Sequence, residues 1–212
     1  MHALIERLLS VLFPDHCAGC RRAGDLFCAG CCALLAPYAE EAQATPPGLV
    51  AVRIAFTFEG PLREAIHVLK YNRRRRMAQP LGALMAAHLR STPLPAQALL
   101  PVPLHPARQA ERGFNQAAEL AREIGRVAGL PLLERGLVRE RVTAQQARLS
   151  AQERHANMRG AFAWRGPARP PRSVLLVDDV MTTGATLSAC AAALKQAGTE
   201  EVYGLALARS KK

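Results

Sequence analysis

The sequence predicts an α/β fold, in which helices flank a parallel sheet, preceded by a small cysteine-rich unit. Segments with strand and helix periodicity alternate along residues 49–212, a pattern typical of parallel strands joined by helical crossovers. Four consecutive aliphatic residues, Val174 to Val177, are typical of a strand buried on both faces of such a sheet. Adjacent prolines and a glycine at 46–48 indicate a break in the chain. We therefore predict a unit of residues 1–48 and a domain of residues 49–212.

The individual elements follow from hydrophobic periodicity. Apolar residues alternate with other residues from Val52 to Phe58, which predicts a half-buried strand. Helical spacing recurs from Phe114, and Gly129 would end that helix. The same reasoning predicts helices at 62–69, 81–89 and 186–198, and strands at 99–103 and 202–207.

The amino-terminal residues predict a location in the cytoplasm. An amphipathic helix before Pro14 lacks the basic start and uninterrupted apolar core of a signal peptide. No segment approaches the ~20 apolar residues that a membrane span requires. We therefore expect a cytoplasmic protein without a membrane span.

Net charge is a weak guide to function here. The formal charge is +11, from 28 Lys and Arg against 17 Asp and Glu. An excess of this size is compatible with nucleic acid, an anionic membrane surface or a highly anionic small substrate. Only four of the 28 are Lys, and this bias is also what a GC-rich genome would produce.

The cysteines predict a metal site. Two CxxC pairs lie close together, Cys17 with Cys20 and Cys28 with Cys31, which is a spacing typical of tetrahedral zinc. Disulfides are the alternative, and a reducing cytoplasm disfavours them. Cys32 could replace Cys31 as a ligand or remain a free thiol. A unit of this size buries little core, so the metal would supply much of its folding free energy.

Two adjacent carboxylates follow the buried strand at Val174 and predict a site for a phosphorylated ribose. Asp178 and Asp179 can accept hydrogen bonds from vicinal hydroxyls, and ligands of α/β folds bind at the carboxyl ends of strands. The small and hydroxylated residues 182–186 then open a helix, whose amino terminus favours a phosphate. Two other phosphate loops are excluded, because this stretch lacks the lysine of GxxxxGK[ST] and the three glycines of GxGxxG. An ordinary strand, turn and helix is the alternative. Cys190, on the apolar face of that helix, is predicted to be a core residue.

Three other segments are more polar than a packed core requires. Residues 70–76 contain the densest positive charge and an aromatic ring on which a base could stack, although a solvated surface is the alternative. Residues 101–116 place several donors at the start of a helix, where a second anion could bind. Residues 141–162 lack apolar periodicity and predict a mobile loop or hood, with an exposed connector as the alternative.

Residues 174–187 resemble the 5-phosphoribosyl-1-pyrophosphate (PRPP) motif of the type I phosphoribosyltransferases. Nearly the whole chain is similar to the ComF family. The resemblance rests on the CxxC pairs, LKY at 69–71, PVPLH and RGFNQ within 101–116, the Gln/Arg/Asn-rich stretch near 145–157, and VDDVMTTGAT from Val177. This resemblance implies a type I phosphoribosyltransferase-like domain with a zinc knob and a link to DNA uptake in competence. It also implies that PRPP binds with Mg²⁺. The PRPP-binding residues would be Asp178, Asp179, Val180, Met181, Thr182, Thr183, Gly184, Ala185 and Thr186.

The resemblance leaves two functions open. The first is an enzyme that transfers phosphoribose to an unknown acceptor, with Asp178 and Asp179 as its catalytic residues. Its pyrophosphate side would comprise Leu104, His105, Arg112, Arg141, Arg148 and Arg154. The second is a non-catalytic module that binds single-stranded DNA and competence or DNA-processing proteins. Its nucleic-acid contacts would be Lys70, Tyr71, Arg73, Arg74, Arg75 and Arg76.

Overall fold

A computed structural model describes residues 14–39, 45–71, 74–141, 158 and 160–210. The predicted amino-terminal helix, Arg73 and the loop arginines Arg148 and Arg154 lie outside the described residues. The described helices are α1 (Ala29–Ala33), α2 (Gly60–Tyr71), α3 (Ala78–Ser91), α4 (Pro106–Arg112), α5 (Gln116–Ala128) and α6 (Ala185–Gln196). The described strands are β1 (Ala51–Thr57), β2 (Ala98–Pro101), β3 (Leu137–Arg139), β4 (Phe162–Trp164), β5 (Ser173–Met181) and β6 (Glu201–Arg209).

Four of the strands form one parallel sheet in the order β1-β6-β5-β2. The predicted fold class is therefore confirmed. Strand β5 is paired on both sides, and its residues 174–177 are fully buried, as four consecutive aliphatic residues require. The carboxyl ends of all four strands lie at one edge of the sheet, where α/β folds bind ligands.

The two faces of the sheet are covered by different helices. Helices α2, α3 and α5 pack on one face, where Leu175 and Val177 lie in their buried cluster. Helix α6 packs on the other face with Val174 and Leu176. Successive residues of β5 thus enter opposite layers, as the period of two in a strand dictates. Cys190 of α6 is fully buried in the second layer, which confirms its prediction as a core residue.

Some elements differ from the sequence prediction. The antiparallel pair β3–β4 was not predicted, because each strand has three residues, too few to show a period. Strand β5 continues to Met181, four residues beyond the predicted aliphatic run. In β1 the buried positions change from 52 and 54 to 55 and 57, since both faces of the sheet are covered by other parts of the chain.

The cysteine unit packs against the sheet domain. The Thr57 amide donates to Ala36 O (2.9 Å) and the Tyr38 amide to Ala55 O (3.2 Å), so the chain after α1 covers the edge of β1. Cys17, Phe27 and Cys31 belong to the same buried cluster as the apolar stripe of α2. A domain boundary at residue 48 remains a prediction. Within the described ranges, no helix is both long and apolar enough to cross a membrane.

Candidate functional site

The carboxylate pair lies at the carboxyl edge of the sheet. Strand β2 pairs with β5 only as far as Val177, whereas β6 continues alongside β5 to Met181. Asp178 and Asp179 therefore lie beyond the end of β2, with side chains on opposite faces of the strand. The Asp179 amide donates to Asp178 Oδ1 (2.9 Å), and the Val180 amide donates to Asp179 Oδ1 (2.8 Å). These contacts fix both carboxylates against the backbone.

Lys70, in the last turn of α2, forms an ion pair with the more buried carboxylate. Its Nζ lies 2.7 Å from Asp179 Oδ2, and Asp179 is only 3% exposed. Burial opposes the charge on Lys70, but the Asp179 carboxylate outweighs it and raises the pKa of Lys70 above its ordinary value. Lys70, which precedes Arg73 to Arg76 (the arginine run) in the sequence, is thus paired with a carboxylate of β5.

The predicted phosphate loop connects β5 to α6. Gly184 precedes the helix with a φ of 81°, a conformation that glycine adopts without strain. The Ala185 amide donates to Thr183 Oγ1 (3.4 Å), while Thr182 is exposed and Thr183 and Thr186 are half-buried. The first turn of this twelve-residue helix begins next to the carboxylates, a geometry that suits an anion.

The four predicted metal ligands come together in one cluster. The Sγ atoms of Cys17, Cys20, Cys28 and Cys31 all lie within 4.8 Å of one another, and the Cys17–Cys31 and Cys20–Cys28 pairs are both 3.6 Å apart. A tetrahedral zinc with Zn–S bonds of about 2.3 Å separates its sulfur atoms by about 3.8 Å, so the cluster fits. All four are free thiols in the structure, because an Sγ–Sγ separation of 3.6 Å is much longer than a disulfide bond. The four cysteines could therefore bind a metal such as zinc, and Cys32 is not among them.

Known proteins resemble this chain in sequence. The pattern of the phosphoribosyl transferase domain family matches residues 110–211. Competence protein F of Haemophilus influenzae is 40% identical over 54% of this chain and 51% of its own length. The DNA utilization protein YhgH of Escherichia coli K12 is 34% identical over 79% of this chain and 75% of its own length. The chain belongs to the ComF family. A solved purine phosphoribosyltransferase from Pyrococcus horikoshii is 17% identical to this chain. The similarity covers 64% of this chain and 83% of that protein, with a TM-score of 0.37.

In this ComF-family chain, the loop after β2 is held by two side chains that cap helices. His105 Nδ1 accepts from the Ala107 amide (3.2 Å) at the start of α4. Asn115 Oδ1 accepts from the Ala117 amide (3.0 Å) and so caps the start of α5. Its Nδ2 donates to Val102 O (3.0 Å). Leu104 lines a cleft of roughly 610 Å³ between this loop and β3. The loop is thus fixed at the carboxyl edge, beside the carboxylates.

Of the predicted pyrophosphate residues, Arg112 reaches the carboxylate site. It is half-buried, its guanidinium lies 5.6 Å from the centroid of the Tyr71 ring, and its charge acts on Lys70. Arg141 is exposed at the end of the described segment.

Arg139 is a further candidate anion-binding residue, which the sequence did not reveal. It lies on β3, 5.6 Å from the ring centroid of Phe162, and the charges of Asp178 and Arg108 both act on it. Burial lowers the pKa of Arg139. No local pattern marks it, because its position depends on the pairing of β3 with β4.

The arginine run carries less free charge than its sequence suggests. Arg75 Nε lies 2.7 Å from Glu119 Oε2, and Arg76 lies 3.1 Å from Asp15. Each of these two positive charges therefore has a carboxylate partner, and Glu119 is shared with Arg122. A nucleic acid would have to compete with both ion pairs.

Asp178 should give the ComF-family protein an unusual pH dependence of stability. Burial, followed by repulsion from Asp179, raises the pKa of Asp178 from 3.8 to about 8. The folded protein therefore holds a proton that the unfolded chain loses near its ordinary pKa. The stability due to this group is present at acid pH and is lost as the pH rises towards 8. Asp178→Asn should thus stabilise the protein at pH 9, by roughly 1–3 kcal/mol, and much less at pH 5. Thermal unfolding of both proteins at both pH values measures this, and an equal shift at the two pH values would contradict the assignment.

Proposed function

We propose that this ComF-family protein binds PRPP, together with Mg²⁺, at the carboxyl edge of β5. One observation carries the proposal: the two held carboxylates and the phosphate loop lie on one strand, turn and helix. Asp178 and Asp179 would accept hydrogen bonds from the 2′ and 3′ hydroxyls of ribose. Residues 182–186 and the start of α6 would bind the 5′-phosphate.

Lys70 adds a positive charge to the proposed PRPP site. Its ammonium pairs with Asp179, so ribose hydroxyls that bind this carboxylate would have to displace it. Its ammonium and the Arg112 guanidinium would then be available to the pyrophosphate. Mg²⁺ favours oxygen ligands and, when bound, would offset part of the pyrophosphate charge. The protein's own residues would mainly position the ligand and stabilise developing charge.

An acceptor for phosphoribosyl transfer would have room beside Lys70. A groove of roughly 490 Å³ runs along α2, and its lining includes Phe58, His67 and Tyr71. His67 is exposed, and its ring centroid lies 4.7 Å from that of Tyr71. Catalysis would require the acceptor to enter this groove with its reacting atom near C1 of the ribose.

The metal of the cysteine cluster is, in our proposal, a structural zinc. The four cysteines would supply all four positions of a tetrahedron as thiolates, which would leave no open position for a substrate. The Cys28 amide donates to Cys17 Sγ (3.4 Å), a contact that stabilises a thiolate. Zinc would hold the unit that packs against α2.

Calorimetric titration with PRPP and Mg²⁺ tests the proposed site. Saturable binding of about one ligand per chain is the expected result. Absence of binding by the zinc-loaded wild type at millimolar ligand would refute the proposal. Binding without release of pyrophosphate in the presence of candidate acceptors would leave a binding protein in place of an enzyme.

The second candidate function is binding of single-stranded DNA, and one observation favours it. Tyr71 is 63% exposed, with the Arg112 guanidinium beside its ring. Aromatic and arginine side chains together form platforms on which unpaired bases stack. The relatives named for competence and DNA utilization suggest the same context. Competence or DNA-processing proteins would then be its partners.

Tyr71→Ala should weaken binding of a single-stranded oligonucleotide more than Arg75→Ala does. Loss of base stacking costs about 1–3 kcal/mol, which is roughly five- to a hundredfold in affinity. Arg75 should matter less, because Glu119 already matches its charge. Fluorescence anisotropy at two salt concentrations measures both effects, with Tyr71→Phe as the control that keeps the ring. A large loss in Arg75→Ala with none in Tyr71→Ala would place the interface on the arginine run.

A further inference from the structure

We propose that Pro46 is a positioning residue for the phosphate loop, so that the segment joining the cysteine unit to the sheet forms part of the phosphoribosyl site. The proposal rests on the proposed function. It places a residue of the predicted amino-terminal unit, before residue 49, in contact with the turn that would hold the 5′-phosphate.

The contact between Pro46 and the loop is direct. Pro46 is buried, whereas the adjacent Pro47 is exposed. A methyl group built on Gly184 would lie 2.5 Å from Cγ and 2.9 Å from Cβ of Pro46, closer than carbon atoms approach. The proline ring therefore packs against the backbone of Gly184, and only glycine leaves it room.

Gly184 is the residue through which such a contact would act. It lies between Thr183 and Ala185 and starts α6 in a left-handed conformation. The direction of the following amides, which would meet the phosphate, depends on the dihedral angles at this residue. With the ring in contact, the turn cannot move towards the linker. Displacement of about 1 Å at a binding group can cost a factor of a hundred in rate.

The linker itself is anchored next to the contact. The Leu49 amide donates to Pro46 O (3.2 Å) and closes a turn, and the Val50 amide donates to Val202 O of β6 (2.8 Å). Gly48 packs against α6, since a methyl group built there would lie 3.2 Å from Cβ of Ala191. The linker that carries Pro46 is thus anchored to α6 through Gly48 and to β6 through Val50. This anchoring lets the Pro46 ring restrain the turn at Gly184.

The test separates the two ends of the proposed ligand. The zinc-loaded full chain, as wild type, Pro46→Ala and Pro47→Ala, is titrated calorimetrically with ribose 5-phosphate and, separately, with Mg²⁺-pyrophosphate. Pro46→Ala should bind ribose 5-phosphate about tenfold more weakly. Its affinity for Mg²⁺-pyrophosphate should equal that of the wild type. Pro47→Ala, which makes the same change in the flexibility of the unfolded chain, should alter neither affinity.

Two results would overturn the inference and leave the proposed function standing. Wild-type affinity of Pro46→Ala for ribose 5-phosphate would show that the ring does not position the loop. Equal losses for both ligands would show a general structural effect. If the wild type binds neither ligand, the proposed function itself fails and this inference fails with it, which distinguishes the two cases.

Discussion

Replacing Asp178 and Asp179 together by asparagine should abolish binding of Mg²⁺-PRPP while the fold persists. Asparagine keeps the shape of each side chain. It removes one of the two acceptor oxygens and the negative charge that each carboxylate would carry beside bound Mg²⁺, whose positive charge favours ionisation. Hydrogen bonds to charged groups contribute about 1.5–3 kcal/mol each, so loss of two should lower affinity by at least a hundredfold. Calorimetry of the double variant beside the wild type measures this loss.

Asp25→Asn provides the matched control for that experiment. Asp25 is exposed in the cysteine unit, far in sequence from the β5 carboxylates, and its replacement makes the same chemical change. Its affinity for Mg²⁺-PRPP should equal that of the wild type. Unchanged binding by the double variant would mean that the ligand, if bound, lies elsewhere.

The two single variants should lose binding but differ in stability. Asp179→Asn leaves the largely buried Lys70 ammonium without its carboxylate. Removing one partner of a buried ion pair lowers the free energy of unfolding by about 3–5 kcal/mol. Asp178→Asn instead removes a carboxyl group whose ionisation the fold opposes, so this variant should gain stability at alkaline pH. At pH 9 the unfolding temperature should therefore fall in Asp179→Asn and rise in Asp178→Asn, relative to the wild type. Movement in the same direction would contradict the placement of Lys70.

Features that are local in the sequence were predicted, and features that depend on distant contacts were not. The carboxylates, the phosphate loop and the four thiols each lie within one short segment, where residue type and spacing carry the information. Lys70 was grouped with the arginines because it precedes them in the chain. Its partner Asp179 lies on a strand near the other end of the sequence, and only the parallel sheet brings α2 to that strand.

Pro46 illustrates the same limit. In the sequence, its proline pair and the following glycine indicate only a break between two units. In the structure, one of the two rings is buried against Gly184 and the other is exposed. Composition cannot distinguish adjacent prolines, because the difference arises entirely from the packing of the linker on α6 and β6.

Loss of one ligand cysteine should empty the proposed zinc site. Purified protein should contain about one zinc per chain, and Cys17→Ser or Cys28→Ser should lose most of it, because serine is a poor zinc ligand. Structural zinc contributes about 10–16 kcal/mol of apparent binding free energy in small domains, so loss of the metal should unfold the unit. Elemental analysis and thermal unfolding measure the two effects.

Cys32→Ser is the control that decides whether Cys31 or Cys32 is the fourth metal ligand. Cys32 is half-buried beside Cys31, yet only Cys31 lies in the sulfur cluster. Cys32→Ser should therefore retain the metal, and Cys31→Ser should lose it. Full retention in Cys31→Ser with loss in Cys32→Ser would reassign the fourth ligand. Gly19 packs tightly between the metal cluster and α2: a methyl group built on it would lie 2.7 Å from Cys31 Sγ and 2.8 Å from Cβ of Pro61. Loss of the metal should therefore also loosen the start of α2. The opposite end of α2 carries Lys70, so we expect metal removal also to weaken its ion pair with Asp179.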